Sequence, residues 1–130
     1  MRVFKTKWFA RFARHERIAD VSLLEAIARA ELGLIDADLG GGLIKQRVAR
    51  QGQGRSGGYR VLVVYRTKHR SVFFYGFAKS EMENISQDQL ATAREFATKW
   101  LAADDRQIAR AIAEDELQEI KHDQKAERVD

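Results

Sequence analysis

The sequence predicts an α+β fold in which an N-terminal strand and two helices precede an antiparallel β-meander and a C-terminal helix. Apolar residues recur with helical spacing in residues 7–34 and again in residues 86–101. Between these segments, residues 43–79 alternate in the period of two that is typical of strands. The links in this central part are short or contain glycine, which favours antiparallel neighbours.

The N-terminal part combines a short strand, residues 2–5, with two amphipathic helices. The first helix covers residues 7–15. Ser22 and Glu25 have the spacing of a capping box, which predicts that the second helix begins at Ser22, and Gly33 is placed to end it. The residues predicted to be buried are Trp8, Phe9 and Phe12 in the first helix and Leu23, Ala26, Ile27, Ala30 and Leu34 in the second.

Three strands are predicted after the glycines at 40–42, over residues 43–50, 59–66 and 72–79. An antiparallel meander brings side chains of one face within a few ångströms of each other, although the register cannot be deduced from sequence. We expect Lys45, Arg47, Arg60 and Lys79 to converge on one face. Alternation in the third strand separates Phe73, Tyr75, Phe77 and Lys79 from Val72, Phe74, Gly76 and Ala78.

A third helix follows, and we expect Ser86 and Gln89 to form its capping box. Its apolar side should pack on the sheet. Beyond Asp104 the helical pattern continues as far as Leu117 and Ile120. The residues predicted to line the apolar side of the third helix are Leu90, Ala93, Phe96, Ala97, Trp100 and Leu101.

The charge is unevenly distributed along the chain. The segment from residue 39 to residue 80 has no Asp or Glu, and we call it the acid-free segment. Its positive field has no internal neutralisation, which indicates an anionic partner. The nine basic residues of this segment are Lys45, Arg47, Arg50, Arg55, Arg60, Arg66, Lys68, Arg70 and Lys79.

The chain is predicted to consist of a basic domain, residues 1–103, and a charged, acidic helical tail, residues 104–130, that is partly disordered at its end. The domain has 18 basic and 10 acidic side chains, whereas the tail has 5 basic and 9 acidic ones. Two roles for the tail stay open: it covers the basic surface in cis, or it keeps the protein soluble.

Composition excludes several classes of function. The chain has no Cys, and therefore no disulfide, thiol nucleophile or zinc-thiolate site. His15, His69 and His122 lie in separate segments without the spacing of metal ligands, so we expect no metal and no cofactor. The sequence contains neither an apolar run of membrane-spanning length nor a secretory signal, and we expect a soluble, cytoplasmic protein.

The run from Gly52 to Gly57 matches G-x-G-x-x-G but predicts no dinucleotide site. That fingerprint requires a strand before it and a helix after it, whereas this run leads into the strand at 59–66. We predict a hairpin loop with Arg55 at its tip, able to approach a nucleic-acid backbone.

The local sequence resembles the RelE/ParE superfamily of toxins from type II toxin–antitoxin systems, and in particular its HigB-like (RelE-like) branch. The resemblance rests on Leu-Ile-Lys-Gln-Arg at 43–47, Gly-Gly-Tyr-Arg at 57–60, Gly-Phe-Ala-Lys-Ser-Glu at 76–81 and Asn-Ile at 84–85, and it covers roughly residues 1–102. It implies a RelE-like fold and a ribosome-dependent, metal-independent mRNA endoribonuclease. It also implies neutralisation by a cognate antitoxin, expected to be of helix-turn-helix type.

The resemblance also implies site residues. In such enzymes a ribose 2′-hydroxyl attacks the adjacent phosphate, and fixed cations stabilise the charge that develops. Family members often have an Arg after the Lys of the fourth strand and a Tyr or His near the end of the connector, where this chain has Ser80 and Ser86. The proton donor is therefore open, with Lys79, Tyr75 and His69 as candidates. The catalytic candidates are Lys45, Arg47, Arg60, Lys79 and Tyr75, and the RNA-binding candidates are Arg50, Arg55, Arg66 and His69.

Two further functions compete with the nuclease. One is a ParE-like toxin that acts on DNA gyrase, which needs no basic catalytic patch. The other is a non-catalytic nucleic-acid-binding module. The nuclease hypothesis requires that Lys45, Arg47 and Arg60 share one surface and are not neutralised by carboxylates of the same chain.

Overall fold

The computed structural model of the chain describes residues 1–49, 58–66, 69–78 and 86–121, and it has the predicted α+β architecture. No helix in these ranges is both long and apolar enough to cross a membrane. The elements are β1 (Arg2–Thr6), α1 (Lys7–Glu16), α2 (Asp20–Glu31), β2 (Ala37–Gly40), β3 (Leu43–Val48), β4 (Tyr59–Arg66), β5 (Arg70–Ala78), α3 (Gln87–Ala102), α4 (Asp105–Ala113) and β6 (Leu117–Ile120).

The six strands form one sheet in the order β2-β3-β4-β5-β1-β6. The predicted antiparallel meander is confirmed in β3, β4 and β5. The sheet is mixed, because β1 pairs in parallel with β5 and antiparallel with β6. Strands β2 and β6 were not predicted from sequence, and they form the two edges of the sheet.

Helices cover both faces of the sheet, so that two apolar cores form. Helices α1 and α2 pack on one face, where Phe9, Leu23 and Ile27 meet residues such as Val61 and Phe73. Helices α3 and α4 pack on the other face. There Ala97, Trp100 and Ile108 meet Leu62, Val64 and Val72. Burial on both faces explains why β4 is apolar along most of its length.

Helix α1 confirms the predicted amphipathic helix. The Thr6 hydroxyl accepts a hydrogen bond from the Phe9 N–H at 3.1 Å and so caps its first turn. Phe9 is fully buried and Phe12 is half-buried, but Trp8 is 45% exposed, so its predicted burial was wrong. Arg17 adopts a left-handed conformation, φ 59°, which ends α1 and turns the chain towards α2.

Helix α2 begins earlier than predicted. It starts at Asp20, after an Ala19 that contributes no side-chain cap, so the predicted capping box of Ser22 does not form. Glu25 pairs with Arg29 one turn later at 2.8 Å, as in many exposed helices. Leu34 lies beyond the end of the helix and is 58% exposed, which also contradicts its predicted burial.

The capping box of α3 is confirmed. The Gln89 N–H donates to Ser86 Oγ at 3.1 Å, and the Ser86 N–H donates to Gln89 Oε1 at 2.9 Å. Ala93, Ala97 and Trp100 are buried against the sheet, but Phe96 is 46% exposed.

Arg70 lies inside the protein rather than on the basic surface. Its guanidinium donates to the carbonyls of Trp100 and Ala103 at the end of α3, and burial lowers its pKa from the ordinary value. Cations at helix C-termini satisfy carbonyls that have no partner within the helix. Arg70 therefore belongs to the fold and not to the positive field.

The segment after residue 103 contributes to the folded body as far as residue 121. Helix α4 is capped by Asp104, but the predicted helical pattern does not continue to Ile120, because residues 117–120 form β6. Val3 pairs with Ile120, and Arg2 contacts Glu119 through two hydrogen bonds of 3.0 Å. Of the end predicted to be partly disordered, residues 122–130 lie outside the described residues. Whether the chain divides into independent units at residue 103 stays a prediction.

Candidate nucleic-acid interface

Two rows of side chains run across β3, β4 and β5 on the sheet face that packs against α3. Residues at paired positions of antiparallel strands lie on the same face, with Cβ atoms about 5 Å apart. Rows that are two residues apart along a strand are separated by about 7 Å. The structure therefore brings Lys45, Arg47 and Arg60 together on one face. The arginine row is Arg47, Arg60 and Phe77, and the lysine row is Lys45, Leu62 and Tyr75.

Arg60 stands in the middle of the arginine row with an unsatisfied donor. The residue is half-buried, and its Nη1 atom is buried without a hydrogen-bond partner among the residues that the structure describes. Arg47, directly opposite on β3, has the same charge. A buried donor without an acceptor is costly, and it is rare in native proteins unless a ligand supplies the acceptor. This site therefore favours an anion.

Lys45 lies in the neighbouring row and is half-buried. No ion pair joins it to a carboxylate within the described ranges. Its direct partner on β4 is the apolar Leu62, which packs along the stem of Lys45 and leaves the ammonium group for a ligand.

The nuclease hypothesis requires cations that no carboxylate of the chain neutralises, and Arg47 has a carboxylate partner. Its Nε lies 2.8 Å from Oδ1 of Asp36, a residue just before β2 and outside the acid-free segment. The Arg47 side chain is nevertheless 47% exposed, whereas that of Asp36 is 14% exposed. The requirement that the cations are not neutralised by carboxylates of the same chain is therefore met only in part at Arg47.

Gln46 fixes the position of Asp36. This fully buried side chain accepts the Asp36 N–H at 2.8 Å and donates to the carbonyls of Ala26 at 2.9 Å and Leu34 at 3.2 Å. It holds the loop before β2 against both α2 and β3. The sequence gave no sign of this role.

A β-bulge in β5 changes the predicted alternation. Leu62 pairs with Tyr75, but the next residue of β4, Val63, pairs with Phe73. Two residues of β5 are therefore needed where β4 advances by one, and Phe74 is the extra residue. Phe73 packs in the core with α1, while Tyr75 packs in the core with α3. The predicted common face of Phe73 and Tyr75 was thus wrong.

Tyr75 is held by a stack of aromatic rings. The rings of Trp8 and Tyr75 lie 4.9 Å apart at 19°, and those of Trp8 and Phe12 lie 5.5 Å apart at 9°. Such contacts contribute about 0.5–1.5 kcal/mol each beyond burial. The half-buried Tyr75 ring is therefore fixed at the β5 end of the lysine row, on the same face as Lys45 and Arg60.

The other candidate residues lie elsewhere or outside the described ranges. Arg66 and His69 are exposed at the far end of β4 and in the turn after it. Six residues of strand, or about 20 Å, separate Arg66 from Arg60, so the structure does not bring them together. Lys79, Arg50 and Arg55 lie outside the described residues, and the roles of all candidates stay predictions.

A cavity of about 300 Å³, which sequence reasoning missed, adjoins the lysine row. It lies between the first turns of α3 and the sheet. No signal in the sequence indicated it, because it depends on where α3 crosses β4 and β5. Its lining residues are Leu62, Tyr75, Asp88, Gln89, Thr92 and Ala93.

Acidic residues that follow α4 in the chain pair away from both rows. Glu119 pairs with Arg2, Glu114 with Arg110 and Glu116 with Lys99. Over the described ranges, no group of three or more His, Asp or Glu residues could hold a metal ion.

The fold and the two rows together define a class: a small α+β protein with a mixed sheet, one face of which presents fixed cations next to an aromatic stack. Comparison with protein families supplies the name of the class. The family described as the RelE toxin of the RelE/RelB toxin–antitoxin system matches residues 1–120. The chain therefore belongs to the RelE toxin family, within the superfamily that its sequence resembles, and it is a toxin whose partner is a cognate antitoxin. None of the curated proteins matches it.

Proposed function

We propose that this toxin, a member of the HigB-like branch, is a ribosome-dependent endoribonuclease that cuts mRNA and inhibits translation in the cytoplasm. The observation that carries the proposal is that Nη1 of Arg60, one row away from Lys45, is buried without a hydrogen-bond partner among the described residues. A phosphate oxygen is the acceptor that such a guanidinium binds best, because the rigid fork of Arg matches phosphate geometry.

The proposed chemistry needs no metal. The 2′-oxygen of a ribose attacks the adjacent phosphorus, and the bond from phosphorus to the 5′-oxygen breaks. A base takes the proton of the 2′-hydroxyl, and the departing 5′-oxygen receives a proton. Negative charge grows on the phosphoryl oxygens in the transition state, so preorganised cations accelerate the reaction by stabilising that charge.

The residues take different parts in this scheme. Arg60 binds the phosphoryl oxygens, and Lys45 adds a second positive charge from the neighbouring row. Arg47 contributes through the donors that its pair with Asp36 leaves free. Among the candidate proton donors, Lys79 lies outside the described residues and His69 at the far end of β4, whereas Tyr75 shares the sheet face of these cations, which supports Tyr75 as the donor.

The resemblance to HigB-like toxins also supports a helix-turn-helix antitoxin. We expect this protein either to cover the cationic face or to hold the toxin away from the ribosome. Both modes predict that the complex with the antitoxin cuts no mRNA.

Substitution of Arg60 by Ala tests the proposal. We expect mRNA cleavage in a reconstituted translation reaction, mapped by primer extension, to fall about 10²- to 10³-fold, the usual effect of removing one group that stabilises an oxyanion. R60K retains the charge without the fork and should give an intermediate rate.

R106A is the matched control. Arg106 is an exposed residue of α4 without a hydrogen bond or ion pair in the described structure, so this variant removes the same charge and should cleave at the wild-type rate. Three results would contradict the proposal: equal cleavage by the R60A and R106A variants, growth arrest with intact mRNA and a DNA-damage response, or no growth arrest on induction of the wild-type toxin. The second would indicate a gyrase toxin and the third a binding module.

A further inference from the structure

Helix α2 is apolar on two opposite sides. One side packs on the sheet and includes Leu23 and Ile27. A surface helix usually has charged residues opposite its core side. On α2 the opposite side is apolar instead, because Val21, Ala28 and Leu32 fall within about 40° of one another around the helix axis. We call this set the outer stripe of α2, and its members are Val21, Leu24, Ala28 and Leu32.

The outer stripe is open to solvent. Val21 is 71% exposed and Leu32 is 77% exposed, the two highest values among the large apolar residues that the structure describes. Ala28 is exposed as well, and Leu24 is half-buried. Four side chains along about 16 Å of helix present an apolar area on the order of 300 Å², a size at which exposed patches are often binding sites.

The charges around the outer stripe leave one cation and one anion at its opposite ends. Glu31 lies at the end of α2, and Arg17 lies just before its start. Both residues are exposed, and neither has an ion pair with any described residue. The other charged residues of α2 are engaged in ion pairs; they are Asp20, Glu25 and Arg29.

We propose that the outer stripe binds a second copy of this chain, so that two α2 helices pack antiparallel about a two-fold axis. Such an interface requires a patch that is complementary to itself. When the helices are centred between residues 24 and 28, Leu24 of each copy faces Ala28 of the other, and Val21 lies beside Leu32 at both ends. A large residue opposite a small one lets two helices approach to the usual distance of about 8–10 Å.

The charges decide the direction of packing. Antiparallel helices place the start of one beside the end of the other, so that Arg17 of each copy lies next to Glu31 of the second copy. Parallel helices would place Arg17 beside Arg17 and Glu31 beside Glu31. Antiparallel packing also opposes the two helix dipoles, which is favourable. Because apolar residues and charges both match under one two-fold rotation, a second copy is favoured over an unrelated helix as the occupant.

The interface lies away from the candidate site. Helix α2 packs on the sheet face opposite to the one that carries Lys45 and Arg60, so both copies keep that face open. The proposal therefore does not depend on the proposed nuclease function. A standard interface buries about 800 Å² on each partner and the outer stripe supplies less than half of that, so we expect a dissociation constant on the order of 10 µM.

Sedimentation equilibrium of the full chain over about 1–200 µM tests the proposal. The mass of the wild-type protein should rise from that of a monomer towards that of a dimer. A28E places a carboxylate opposite Leu24 in both central layers, and it should weaken association about tenfold or more. A91E is the matched control, because Ala91 is an exposed alanine of α3, and this variant should associate like the wild type.

An exchange of charges tests the antiparallel direction. R17E and E31R should each weaken association about twofold to thirtyfold, because each variant loses two exposed ion pairs of the dimer. The double variant R17E/E31R should recover the wild-type affinity, because both pairs return with their signs reversed.

Three results would overturn the proposal: a wild-type chain that stays monomeric at about 200 µM, association of A28E as tight as that of A91E, or a double variant that associates no more tightly than R17E and E31R alone. In the first case, loss of binding to the cognate antitoxin by A28E but not by A91E would assign the outer stripe to the antitoxin instead.

Discussion

Replacing Arg60 by Met should make the free toxin more stable while it removes function. Met retains most of the apolar stem of Arg but has no donor and no charge. Loss of the unpartnered Nη1 removes a cost of about 1–3 kcal/mol, and loss of the like-charged pair with Arg47 removes about 0.2–1 kcal/mol. Arg60 is only half-buried, so we expect the cost of its Nη1 to lie in the lower half of the first range. The free energy of unfolding should therefore rise by about 1–2 kcal/mol.

Urea denaturation followed by circular dichroism measures this gain. The midpoint for R60M should rise with an unchanged slope, since the surface exposed on unfolding stays the same. R106M should change stability by less than about 0.5 kcal/mol, as is usual at exposed positions. If R60M lowers stability by about 1 kcal/mol or more, the Arg60 guanidinium stabilises the fold, and the argument that it lacks an anionic partner is wrong.

Two further predictions concern the scaffold of the site. G76A should destabilise the protein by about 1–3 kcal/mol, because a Cβ at this position would lie 2.5 Å from Cε2 of Phe12. The double variant G76A/F12L should recover part of that loss in thermal unfolding, and an unchanged melting temperature for G76A alone would show that the ring moves freely. Q46L should cost about 2–4 kcal/mol, because the Asp36 N–H and the Leu34 carbonyl lose the partner that Gln46 supplies. Urea denaturation checks this value, and a loss below 0.5 kcal/mol would mean that water replaces the amide.

The sequence predicted elements whose signals are local. The capping box of Ser86 and Gln89 marked the start of α3, and alternation marked β3 and β4. By contrast, Leu117 and Ile120 have a spacing that also suits a helix, and only pairing with β1 decides that they form a strand. Strand β2 has four residues and no β-branched side chain, so its pairing with β3 determines its conformation.

The candidate site was predictable as far as its cations and no further. Lys45, Arg47 and Arg60 were identified by the charge pattern, and the register then placed them on one face. The pair between Arg47 and Asp36 joins residues from two different segments, and a bulge opposite Val63 determines where Tyr75 points. Both features arise from pairing between strands, which single-sequence patterns do not encode.

The position of β1 in the sheet has a consequence for synthesis of the toxin. This strand is synthesised before the other five, yet its neighbours are β5 and β6, and Val3 meets Ile120 only after the residues between them have been synthesised. The hairpin of β3 and β4 can assemble earlier, but without β1 the sheet lacks the strand that joins its two parts. The β1–β6 pair therefore cannot form until residues 117–120 have left the ribosome, and a nascent chain that ends before β6 lacks one edge of the sheet.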